Sequence, residues 1–155
     1  MVEKSYNSNS YYEGLIQNYY AGAKGCFSAF MHFFYQYNQS AVFQPEYSNC
    51  FRLLYMSELE NCQILSSILL KMGGDNKYYS NLKKFLSGYN VDYVKNFTQI
   101  FLMDIEMLEL HVIEVKGMIA KIENLKIKDE LRKVLANKKK SLKILKENYF
   151  KNNLI

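Results

Sequence analysis

Residues 45–74 read PEYSNCFRLLYMSELENCQILSSILLKMGG, and this stretch decides the fold. Pro45 suits the first turn of a helix, where its missing N–H has no intrahelical partner to lose. Gly73-Gly74 suits a helix stop, because glycine enters the left-handed region without a Cβ penalty. Between them Phe51, Leu54, Glu58, Asn61, Leu65, Ile68 and Met72 recur at steps of three and four. That period places all seven on one face of a long helix, the seam a bundle would bury. Two consecutive seam positions, Glu58 and Asn61, are polar.

The same spacing extends to both sides. Tyr11–Tyr37 reads as one helix with Leu15, Tyr19, Cys26, Ala29 and Phe33 along its stripe. Asp92, a plausible cap, opens a third helix to Ile122, with Ile105, Leu108, Val112, Val115, Ile119 and Ile122 as its cleanest apolar row. A fourth runs from Lys128 to Phe150 through Leu131, Leu135, Lys138, Leu142, Leu145 and Tyr149. A single proline and seven glycines in 155 residues leave too few turns for an all-β chain. The class is therefore all-α. The links 38–44 and around Asn124 are short and predict antiparallel neighbours, whereas 73–91 is long enough to cross the bundle and to hold a turn over 81–86. Residues 1–10 are polar and read as a flexible tail, leaving 11–155 as one domain.

Charge and cysteine usage narrow the function. Residues 124–155 hold ten Lys/Arg against three Asp/Glu, so the whole basic excess of the +5 chain lies in the last helix. Such a face can meet a polyanion. Yet only Arg52 and Arg132 are arginines, the residue suited to bidentate phosphate and base contacts, and a solvated lysine face is the plainer reading. Cys26, Cys50 and Cys62 are odd in number and widely spaced, which fits free thiols in a reducing, cytoplasmic setting. No apolar run is long enough to span a membrane or to serve as a signal segment.

Glu58 to Gly74, with Glu-Leu-Glu-Asn, an apolar run and Lys-Met-Gly-Gly, resembles the second helix of ferritin-like di-metal carboxylate proteins of the manganese-catalase-like and rubrerythrin-like kind found in bacteria. Gly25-Cys26-Phe27-Ser28-Ala29 is similar to the Gly-Glu-Leu-Ser-Ala of their first helix. Asp104-Ile105 and the spacing after Asn137 agree more weakly. The resemblance spans about residues 11–150 and implies a ferritin-like antiparallel four-helix bundle, with one long crossover between its second and third helices.

In that family six side chains hold two iron or manganese ions, a Glu from each of two helices and Glu-x-x-His from each of the others. The resemblance maps these positions to Cys26, Glu58, Asn61, Leu108, Lys138 and Ser141, so that Glu58 alone keeps a ligand. The residue three before His32 is Ala29, and three before His111 is Leu108, so neither histidine ends a Glu-x-x-His. The implied protein is non-catalytic and has no di-metal centre. It would act by structure or by binding a partner, as a homodimer through an apolar, tyrosine-rich face or with another protein. A rebuilt iron or manganese site with residual oxidoreductase chemistry around Cys26, Glu58 and Asn61 is the alternative.

Buried charge must be paired, so Glu58 and Lys138 are expected either to face each other or to face water. His32, among Phe30, Met31, Phe33 and Phe34, reads as packing. His111 reads as a partly exposed or hydrogen-bonded residue. A soft site from Cys26, Cys62 and His111 would need the third helix turned from its apolar row.

Overall fold

The computed structural model describes residues 10–77, 93 and 96–153. Of the expected tail over 1–10, residues 1–9 lie outside the described residues and Ser10 opens the first helix, while the turn over 81–86 and the Asp92 cap also lie outside them. Within them the chain forms helices α1 (Ser10–Ala21), α2 (Cys26–Phe43), α3 (Pro45–Lys71), α4 (Phe97–Lys121) and α5 (Leu125–Asn153). There is no strand among the described residues, and no helix there is long and apolar enough to cross a membrane.

The first expected helix is broken. A turn at 22–25 separates α1 from α2, tied by Gly22 N–H to Asn18 O and by Gly25 N–H to Gly22 O. A Cβ at Gly25 would lie 2.5 Å from Tyr19 O, and one at Gly22 would press against Asn18 O. The backbone crosses itself too closely there for any side chain, which is why glycine stands at both positions.

The other boundaries follow their end signals. Pro45 sits in the first turn of α3, and Gly73 takes φ +82° beyond its end, the left-handed stop its position suggests. The link between α2 and α3 is shorter than expected, with Gln44 alone between the helices. α4 starts at Phe97 with Asn96 as its cap, the Asn96 Oδ1 accepting Gln99 N–H. Asn124 Oδ1 accepts the N–H groups of Lys126 and Ile127, so α5 begins three residues earlier than Lys128. Asn96→Ala is expected to cost about 1 kcal/mol, read as a lower urea midpoint with an unchanged slope.

α2 packs along α3, α4 along α5, and α3 along α5 as well, while α1 lies against α2 and α3. Two apolar clusters result. One gathers Ile16, Tyr20, Leu65, Ile68, Val115, Met118, Ile127 and Leu131. The other gathers Ala29, Phe33, Phe51, Leu54, Phe101, Leu108 and Leu145. α3 and α4 run from the second cluster to the first, whereas α2 and α5 run from the first to the second. Midway along the helices, between the clusters, lies a layer of buried polar side chains.

Candidate functional site

The polar layer is built where each helical seam changes character. Cys26, Glu58, Asn61, Leu108, Lys138 and Ser141 are all buried. The structure brings Glu58 and Lys138 together, with Lys138 Nζ donating to both carboxylate oxygens at 2.6 Å. Its third donor goes to His111 Nδ1 at 2.8 Å. That acceptor role assigns the ring proton to Nε2, which donates to the Lys24 carbonyl at 2.9 Å. Three ammonium protons thus meet three acceptors, with both charged side chains fully excluded from water. Tyr19 closes the group, edge-on to His111 and with its ring centroid 5.7 Å from Nζ.

The remaining positions extend this network or stand apart from it. Asn61 Nδ2 donates to Glu58 Oε2 at 3.5 Å, and Asn61 Oδ1 accepts from Asn137 Nδ2 at 2.9 Å. Ser141 donates to Ser57 Oγ at 3.2 Å and makes no bond to Glu58. Leu108 belongs to the apolar cluster beside the layer.

The electrostatics follow from this enclosure. Burial is the largest influence and would lower the Lys138 pKa, but the Cys26 sulfur once ionised at high pH and the Glu58 carboxylate with its hydrogen bonds together outweigh it, and the net shift is upward. Burial, and then the Lys138 charge, push His111 well below its ordinary value, so it is a neutral acceptor at pH 7. Burial raises the Cys26 thiol to about 12 despite the nearby ammonium, and raises Cys50 to about 12 and Cys62 further. All three are free thiols and remain protonated near neutral pH, so none is poised as a nucleophile. Burial likewise raises Tyr19 well above its ordinary value.

The histidines differ from expectation in two ways. His111, expected to be partly exposed or hydrogen-bonded, is hydrogen-bonded but buried: Asp104, Leu108, His111, Val115 and Met118 on α4 and Ile122 just past its end face inward, while Ile105, Val112 and Ile119 are only half-buried. His111 therefore enters the layer without further rotation, but both its ring nitrogens are engaged by Lys138 and Lys24. Among the described residues no group of three or more His, Cys, Asp or Glu side chains is placed to hold a metal ion.

His32, expected to pack, forms a second buried polar cluster instead. Its Nε2 lies 2.6 Å from Asp104 Oδ1, and Gln36 Nε2 donates to the same oxygen at 3.1 Å. Asp104 and His111 lie seven residues apart on α4, two turns of one face, and both were legible as polar residues at seam spacing.

Neither a protein-family model, nor a curated protein, nor a solved structure matches this chain.

Proposed function

We propose that the chain is a ferritin-like helical protein whose metal position is taken by an internal ion pair, and that it acts by structure or by binding a partner rather than by catalysis. The observation that carries this reading is the saturated Lys138 ammonium. An amine with all three protons engaged by Glu58 and His111 supplies, from within the chain, positive charge of the kind that bound cations would otherwise provide. The opposed order in which α2 and α3, and again α4 and α5, pass between the two apolar clusters supports an antiparallel four-helix bundle with a crossover between its two middle helices.

A self-association surface fits the same reading. α2 contains no charged residue, and Phe34, Val42 and Phe43 on it are exposed, as are Leu53 and Met56 on neighbouring α3. Apolar surface of this kind marks contact sites, and a homodimer through it is the proposed assembly.

The test is metal content. After exposure to ferrous iron and to manganese under reducing conditions, followed by desalting, elemental analysis is expected to find far less than one ion per chain. A stoichiometric ion that resists desalting would overturn the reading and favour a rebuilt iron or manganese site. Light scattering at tens of micromolar reads the assembly, and a monomer there would remove the dimer.

A further inference from the structure

α2 and α4 are not in extensive contact, and a cleft of about 510 Å³ opens between them. Its floor and walls come from regularly spaced positions, Gly25 at the N-cap of α2, Ser28 and His32 on α2, and Met103, Met107 and Leu110 on α4. That volume lies in the range of small-molecule sites, which are largely apolar with a few fixed polar groups. The α4 side fits this description. Leu110 and Ile113 are 54% and 67% exposed at the cleft, and Met103 and Met107 add adaptable apolar surface.

The polar groups of the cleft are mainly acceptors. His32 is only 5% exposed, and its Nε2 is held by Asp104. Gln36 Nε2 lies 2.7 Å from the same ring nitrogen and 3.1 Å from Asp104 Oδ1, so the Asp104 carboxylate is the acceptor at the centre of this cluster. Ser28 spends its proton on Gly22 O at 3.3 Å, which leaves its oxygen to accept. His111 offers only its ring, since both nitrogens are engaged. Glu106 and Glu114 place carboxylates along the cleft, against the single exposed ammonium of Lys24 on the opposite wall.

We propose that the cleft between α2 and α4 binds a small organic cation, a protonated amine carried on an apolar body. The ammonium points toward the His32–Asp104 pair, and the apolar body lies against Met107, Leu110 and Ile113. An anionic ligand would meet Asp104, Glu106 and Glu114. A fully apolar one would cover the Ser28 oxygen and the Glu106 and Glu114 carboxylates without pairing them, which is unfavourable. The site uses none of the Lys138–Glu58 contacts, so its test is independent of the metal question.

The experiment titrates the full chain with three probes of like size: 2-phenylethylamine, 2-phenylethanol and 3-phenylpropanoate. Calorimetry gives affinity, and backbone amide shifts give location. The amine is expected to bind at least about tenfold more tightly than the alcohol, with shifts confined to 23–32 and 103–114, and the carboxylate is expected not to bind. Leu110→Arg, at an exposed position that folding tolerates, is expected to abolish amine binding. Glu106→Gln with Glu114→Gln is expected to weaken it severalfold. Equal binding of amine and alcohol, shifts elsewhere, undiminished binding by Leu110→Arg, or no amine binding up to its solubility limit would each overturn the proposal.

Discussion

Lys138→Met is expected to destabilise the protein by about 3–5 kcal/mol, because it leaves the Glu58 carboxylate buried with no cation. Methionine keeps most of the lysine volume, so a cavity is not the main cause. Both partners are fully excluded from water, so the remaining carboxylate cannot recover its hydration without rearrangement. It would take up a proton, retain Asn61 as a weak donor at 3.5 Å, and leave His111 Nδ1 without its donor. For a domain of this size the melting temperature should fall by roughly 10 °C.

The double change Lys138→Met with Glu58→Leu is the decisive companion. Apolar replacement of a whole buried pair is often close to neutral, so it should recover most of the loss, short of the bond that His111 has given up. Thermal denaturation of the two variants beside the parent reads the difference. A Lys138→Met protein that melts with the parent would mean that the pair contributes nothing to stability. A double variant no better than the single one would locate the cost in packing rather than in charge.

Acidification is expected to weaken the fold from about pH 6.5 downward, before most carboxylates begin to titrate. Burial first, and the Lys138 charge second, hold His111 well below its ordinary pKa in the folded chain, against a smaller upward pull from the Lys24 carbonyl. The unfolded chain takes up the proton near pH 6.5. Below that value the unfolded state binds more protons than the native state, so stability falls with falling pH, by up to about 1.4 kcal/mol per unit. The loss ends only when the native His111 itself protonates. Above pH 6.5 this contribution is fully present.

Protonating His111 in place would set an imidazolium beside the Lys138 ammonium, 2.8 Å apart, and remove the acceptor that ammonium uses. Glu114 acts in the opposite sense: burial raises its pKa, so its protonation slightly relieves the native state in acid, but it is exposed and its effect is screened. His111→Gln keeps an acceptor for Lys138 and a donor for the Lys24 carbonyl, and it has no proton to gain. Urea unfolding between pH 7 and pH 5 should therefore show a shallower loss for His111→Gln than for the parent. Identical slopes would show that His111 does not carry the effect.

Lys138 works at the other end of the scale. Its pKa is raised in the folded state, so its contribution is present below the unfolded value and disappears only as pH climbs through the folded one. Between these limits the polar layer is at its most stable in neutral and mildly alkaline solution.

Much of the architecture was legible in the sequence because it rests on local rules. Period marked the helical segments, though not the break at 22–25, and Pro45 and the 73–74 glycine pair marked the ends of α3, whereas the Asn96 and Asn124 caps emerged only in the structure. Glu58, Asn61 and Lys138 stood out by the same logic, as polar residues interrupting apolar rows whose burial must be compensated.

What the sequence did not decide has a common cause, namely that the choice depended on a distant neighbour. Of the expected row Ile105, Leu108, Val112, Val115, Ile119 and Ile122, the members Leu108, Val115 and Ile122 are buried as expected, and helical spacing lets them be flanked either by Ile105, Val112 and Ile119 or by Asp104, His111 and Met118. Apolar content favours the first, yet α4 buries the second, because His32 and Gln36 on α2 meet Asp104, and Lys138 on α5 meets His111. The break at 22–25 is likewise set by the close approach of Gly25 to the Tyr19 backbone, and it leaves the Lys24 carbonyl where His111 can donate to it. Periodicity determined that these segments would be helices. Hydrogen-bond partners 27 to 87 residues away determined which of their faces turned inward, since a buried donor or acceptor is tolerated only where its partner already stands.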